Sequence, residues 1–283
     1  MTSGEVFPEM VSEADVGLPA KRNWPVFFIL LLLTLFTTFL AGGATYAVSL
    51  FAILGAHEFG HYWASRRNQV MASLPYFLPA PPSWFLFGTF GAMIMIRDRI
   101  PNRRVLMEIG ASGPIAGFLV AVPMLVVGLF LSSVTAVTGE HGLVFGSSLI
   151  LVLLGKLILG VTPWDPDINI QLHPLAFSAW VGLFVTSLNL IPIGQLDGGH
   201  IIYSMLGEKY KICARVFFAF LVLLVFFWPG WLLWVLLLGL LTRLKSAEVV
   251  NPDILPGGNH RILGILCIII FLLTFVPIPI ELV

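Results

Sequence analysis

Long apolar runs at about 25–43, 46–64, 105–131, 143–160, 174–194, 212–228, 230–244 and 262–280 leave this chain few folds to choose from. Most approach the roughly 20 residues that a helix needs to cross a bilayer. Within hydrocarbon every backbone N–H and C=O must find a partner inside the protein, which restricts a spanning chain to helices or a closed barrel. The runs are continuous and do not alternate, so they read as helices. Only 11% of the residues are charged, against about a quarter in soluble domains. The expected fold is an all-α polytopic membrane protein, a bundle of about seven to eight transmembrane or re-entrant segments. The lipid bilayer is then its first partner. A formal net charge of +0 offers no argument for nucleic acid.

No polar stretch between the runs reaches the roughly 50 residues of a small domain. The expected organisation is a flexible N-terminal tail, 1–23, and one transmembrane domain, 24–283, with its core at 46–245 and no PDZ-like or other soluble insert. The tail carries Glu5, Glu9, Glu13 and Asp15 and does not read as an Arg-rich, acid-poor transit peptide. A cleaved signal peptide is the competing reading of the first run. Cys213 and Cys267 sit apart in apolar segments, which excludes a disulfide framework and leaves small buried hydrophobes.

Orientation follows from where Lys and Arg fall. With the N-terminus in the cytoplasm, the first two runs form a hairpin through "GGAT" and return Arg66 and Arg67 to that side, with Arg97, Arg99, Arg103 and Arg104. The run 105–131 then leaves, and the loop with Glu140 and His141 is outside. If 143–160 crossed fully, Lys209, Lys211 and Arg215 would land outside. If it dips in and returns, or lies along the outer face, every Lys and Arg except Lys156 is cytoplasmic. The segment 143–160 is therefore expected not to be a simple span. The lack of a transit-like leader points to a prokaryotic plasma membrane, with the polar groups opening toward the cytoplasm.

Those polar groups begin in "GAHEFGHYWASRR", residues 55–67, at the end of an apolar run. Residues i and i+4 share a helix face, so His57 and His61 point the same way with Glu58 beside them. This is the zinc half-site of H-E-x-x-H peptidases. Burying three such groups without a ligand has no compensation. A catalytic zinc needs three protein ligands and an open position. "NLIPIGQLDGGH", residues 189–200, supplies a carboxylate, Asp197, at the same cytoplasmic depth in the topology above, where Pro192 and the glycines at 194, 198 and 199 break the helix.

The pair "HEFGH" and "NLIPIGQLDGGH" resembles the site-2 protease family of intramembrane zinc metalloproteases. "LPYFLP", "GTFGAMI", "SGPIAGF" and "HPLAFSAWVGL" are similar to its plastid members, the ethylene-dependent gravitropism-deficient yellow-green type, and their bacterial relatives, with the motif order intact over roughly 46–245. The resemblance implies one zinc per chain held by His57, His61 and Asp197. It implies Glu58 as the catalytic acid/base and Asn189 as a substrate-positioning or oxyanion-side group. The implied reaction is peptide hydrolysis within or near transmembrane segments of membrane-anchored proteins. A separate recruiting partner is possible. His200 departs from the arginine usual in the plastid members.

A helical substrate must be unwound before its carbonyls can be reached, and its backbone then needs new partners. The stretch 84–96, "WFLFGTFGAMIMI", is rich in aromatic and branched residues and is expected to be a re-entrant β-hairpin. Its free edge would pair with substrate, with Gly88, Thr89, Phe90 and Gly91 as the binding residues. The bland alternative is an amphipathic linker. Gly113, Pro114 and Gly117 suit close helix packing, and the resemblance adds proximity to the active site. His173 lies on the outer side, and His141 and His260 are loop residues with no constellation. Glu108 suits a helix N-terminus. The eight tryptophans read as an aromatic belt. Two rival functions stay open. A metal transporter would string His and Asp across the full depth. An inactive scaffold would be expected to have lost Glu58 or a ligand.

Overall fold

A computed structural model describes residues 23–283, apart from 84, 97, 137–142, 166–167, 243–247 and 283. Tail residues 1–22 and the loop positions Glu140 and His141 therefore lie outside the described residues. The fold is mostly helical. Its helices are α1 (Trp24–Arg67), α2 (Arg103–Phe130), α3 (Leu149–Leu159), α4 (Pro174–Asn189), α5 (Asp197–Leu206), α6 (Tyr210–Leu224), α7 (Trp231–Leu237) and α8 (Gly258–Thr274). A π-helical turn, Leu238–Thr242, continues α7. Four two-stranded ribbons tie loops together: β1 (Tyr76–Pro79) with β2 (Thr89–Met93), β3 (Ile100–Asn102) with β7 (Val249–Asn251), β4 (Ser133–Ala136) with β6 (Ile168–Gln171), and β5 (Leu143–Phe145) with β8 (Ile280–Leu282).

Among the described residues two helices, α1 and α2, are long and apolar enough to cross a membrane. A straight α1 of 44 residues would measure about 66 Å at 1.5 Å per residue, twice the hydrocarbon thickness. It is interrupted at Gly43, whose φ of 78° and ψ of −176° are not helical. The break falls inside the "GGAT" turn expected from sequence, and each half alone approaches span length. The run 143–160 begins with β5, and its helix, α3, has 11 residues, about 16 Å.

The ribbons and loop contacts define two ends of the bundle. At one end Asn68 donates to Glu108, His260 bonds Glu108, and Arg103 donates to the Ser204 carbonyl. The β3–β7 pair lies there too, next to the start of α2. At the other end β4–β6 joins the exit of α2 to the entry of α4. Trp180 Nε1 donates to the Gly146 carbonyl, Gly146 N–H to the Pro279 carbonyl, and Trp231 Nε1 to the Pro277 carbonyl. Both flanks of α3, β5 and β6, sit at this second end.

The hairpin differs from the expectation for 84–96. Its strands are Tyr76–Pro79 and Thr89–Met93; residues 85–88 belong to the connection. The register slips between Leu78 and Pro79, so Phe90 has no Cα partner and is exposed. An isolated Ala72–Ile96 bridge closes the base. Phe77 stacks on Phe51 at 4.5 Å. The tip hangs on α1, where Thr37 Oγ1 donates to the Gly88 carbonyl at 2.6 Å and Tyr46 Oη to the Phe87 carbonyl at 3.0 Å. Tyr46 lies 11 residues, about 16 Å along a helix, from His57.

The core centres on Leu50, Ile53, Leu125, Trp180, Leu183 and Trp231. Trp180 and Trp231 are thus buried, unlike belt residues, while Trp24, Trp63 and Trp164 are exposed. Outward faces of α1, α6, α7 and α8 expose Leu32, Phe36, Val216, Leu233 and Ile262 among others. Apolar surface on that scale marks contact with another apolar phase.

Candidate metal centre

His57 and His61 lie one turn apart near the C-terminal end of α1, and Asp197 opens α5. The chain reaches Asp197 through a sharp break. α4 stops at Asn189, Pro192 cannot continue a helix, and Gly194 takes φ +64° with its N–H donating to Tyr210 Oη at 2.5 Å. At Gly198 a Cβ would strike the Leu190 carbonyl, so α5 packs back onto the break only because no side chain is there. A carboxylate in the first turn of α5 also suits the helix dipole.

Asp197 Oδ2 lies 3.2 Å from Nε2 of both His57 and His61. One ligand atom from each of the three lies within 4.8 Å of the others. Two nitrogens and an oxygen around zinc, with bonds of roughly 2.0–2.1 Å at tetrahedral angles, stand about 3.3 Å apart. His61 Nδ1–H donates to the Ile109 carbonyl at 2.8 Å, which leaves its Nε2 lone pair for the metal, as metal-bound imidazoles require. The donor set suits zinc, and the two His–Asp197 distances of 3.2 Å match that spacing.

Glu58, His57 and His61 are all buried. The backbone N–H of Ile94, one residue beyond β2, approaches the Glu58 carboxylate. The chain just past the second strand of the hairpin therefore passes beside Glu58. Asn189 Nδ2 stands 3.3 Å from His57 Nε2, so Asn189 joins the same cluster. Among the described residues, no hydrogen bond joins Gly88, Thr89, Phe90 or Gly91 to the three ligands. The Gly88 carbonyl is held by Thr37, and Thr89 Oγ1 donates to the Leu78 carbonyl. Gly91 has φ +102° and faces Val185 of α4.

Several weaker expectations change. Gly113 and Gly117 do more than pack helices. A Cβ at Gly113 would fall on the His61 imidazole, and one at Gly117 would press on His57, so α2 forms the wall behind both ligands. Their spacing alone cannot distinguish this from ordinary packing. His260 is no isolated loop residue. It sits in the first turn of α8, 2.6 Å from Glu108 Oε1, while Asn68 holds the other carboxylate oxygen at 2.8 Å. Glu108 thus ties α1, α2 and α8 together; contrary to expectation it does not serve the N-terminus of α2, because it lies beyond the first turn and Asn102 is the cap. His173 caps α4 at the opposite end, accepting from Leu175 N–H. His200 is packed against Gly110, and its buried Nδ1 has no hydrogen-bond partner.

Residues 45–224 match the family model described as Peptidase family M50. Among similar proteins, the chain is 32% identical over 229 residues to "Probable zinc metalloprotease EGY2, chloroplastic" of Arabidopsis thaliana, covering 80% of this chain and 40% of that protein. It is 33% identical over 236 residues to the protein of the same name in Oryza sativa subsp. japonica, covering 81% and 41%. It is 30% identical over 241 residues to "Probable zinc metalloprotease EGY1, chloroplastic" of Arabidopsis thaliana, covering 83% and 43%. The chain thus spans about two-fifths of the length of these relatives. No solved structure matches it. A family match that takes in the buried His57 and His61 and the partly buried Asp197, with relatives similar over four-fifths of the chain, places this chain in peptidase family M50, the membrane-embedded site-2 protease family.

Proposed function

We propose that the chain is an intramembrane zinc metalloendopeptidase, one zinc per chain, that hydrolyses membrane-anchored proteins within or near their transmembrane segments. The convergence of His57, His61 and Asp197 beside Glu58 carries this reading. Zinc held by the three ligands would supply a Lewis acid that polarises the scissile carbonyl and lowers the pKa of water. Glu58 takes a proton from the attacking water and delivers it to the leaving amine. The Asn189 amide, next to His57, donates to the scissile carbonyl oxygen as charge builds there. The unpaired edge of β2 receives the unwound substrate as an added strand, and Gly88, Thr89, Phe90 and Gly91 set its register. The approach of Ile94 N–H to Glu58 supports this: a strand laid along β2 is led to the acid/base.

In the proposed topology α1 turns at Gly43 and crosses twice. The β1–β2 hairpin re-enters from the metal end, and α3 dips from the opposite face without crossing, which brings the bundle to seven or eight segments over residues 24–283. Support comes from β5 and β6, which share one end, and from Arg103, Arg104 and Arg261 gathered at the other. By the positive-inside rule the metal end faces the cytoplasm, of a prokaryotic plasma membrane in the reading from sequence; the named relatives are chloroplastic. Among the described residues His57, His61 and Asp197 form a single metal-capable group, which favours catalysis over a transport path strung across the membrane.

The test is cleavage by the purified full chain in liposomes with a panel of single-span protein substrates. Cleavage that is lost on chelation and restored by zinc is expected. Cleavage indifferent to chelation would overturn the mechanism.

A further inference from the structure

A cavity of about 250 Å³ lies between α5, α6 and α8. Its floor is the break that carries Asp197: Leu190, Pro192 and Gly198. Its walls include both cysteines of the chain, Cys213 on α6 and Cys267 on α8, with Ile201 of α5 deep inside. Ile201 and Cys267 are each 1% exposed, whereas Ile268 and Leu272 at the α8 rim are 37% and 58% exposed. The cavity therefore runs from the outer face of the bundle to its interior. Elsewhere on α6 and α8, Ile212, Val216, Ile265 and Ile269 are exposed. The α8 wall lies 9 to 14 residues into that helix, about 14–21 Å from its start, at the depth of acyl tails.

The lining decides between occupants. Every lining side chain is apolar or a thiol, so nothing supplies the two to four polar partners that an ordered water needs. An unwound substrate segment would bring backbone N–H and C=O groups that must be paired at this depth, and the walls offer them no side-chain partner. A hydrocarbon chain needs no such partner, and the volume holds about eight groups of methylene size at roughly 30 Å³ each. We propose that this cavity is a binding site for a single lipid acyl chain, which enters between α6 and α8 and ends against the Leu190–Gly198 break. The site is independent of the peptidase reading, and its test needs no turnover.

The full chain would be reconstituted in phosphatidylcholine vesicles doped with phosphatidylcholine bearing a diazirine at the acyl terminus. After photolysis, adducts are mapped by peptide mass spectrometry. The expected result is labelling of the interior residues Leu190, Ile201 or Cys267, in addition to outward residues such as Ile262 and Leu223. Adducts confined to outward residues would overturn the proposal, as would interior capture of a diazirine-bearing single-span peptide in place of lipid. Filling the entrance with Cys213→Phe should lower interior labelling at least tenfold relative to outward labelling. Unchanged interior labelling in a folded Cys213→Phe chain would refute entry at this place, and the wild-type map alone decides should that variant not fold.

Discussion

His57 and Asp197 are 140 positions apart and 3.2 Å apart in space. The first half of that pairing is visible in the chain, because H-E-x-x-H spacing is helical geometry written in letters. The second half needed an argument from membrane depth. Spacing alone did not reveal the role of Gly113, since a glycine that admits a neighbouring helix and one that admits an imidazole look the same in sequence; only the family resemblance placed it near the active site. Gly113→Val should therefore push His61 aside and lower zinc affinity by about 10–100-fold, the range seen for lost supporting groups, as measured by competition with a fluorescent chelator. Unaltered affinity would show that His61 has room to move. Asp197→Ala removes a ligand outright and should leave substoichiometric zinc after purification, read by elemental mass spectrometry. Full occupancy would mean that another group completes the site.

At the scale of elements, the hairpin illustrates what local pattern conceals. Its aromatic run, 84–96, looked like both strands, yet the first strand is Tyr76–Pro79, whose flanking prolines argue against a strand. Pairing with β2 and the stacking of Phe77 on Phe51 outweigh that local signal, and neither is local. The tip relies on hydroxyl donors from α1. Tyr46→Phe leaves the Phe87 carbonyl without its buried partner and should cost about 1–3 kcal/mol. A lower melting temperature in detergent is expected, with zinc content unchanged. A melting temperature equal to wild type would show that the tip is held otherwise. The Glu108–His260 contact was equally hidden, because it joins two helix starts 152 residues apart, which no periodicity connects.

In the whole molecule, the distribution of Lys and Arg sets the expectation that 143–160 does not cross; its flanks, β5 and β6, pair with β8 and β4, and labelling tests on which side they lie. Helix boundaries were less legible. α4 ends at Asn189 and not 194, because the break at Pro192 and Gly194 serves the metal site instead of the span. With Cys213 and Cys267 replaced by serine, Thr162→Cys should react with an impermeant maleimide added on the face opposite Arg66. Reaction only from the Arg66 face would show that 143–160 crosses the membrane as a simple span.

The most direct test of the central claim compares wild type with Glu58→Gln, each purified as the full chain, for zinc content and for cleavage of the same single-span substrates. Equal zinc in both is expected, with a loss of about 10²–10⁴-fold in cleavage, the contribution expected of one general acid/base. Equal cleavage by the two proteins would contradict that claim.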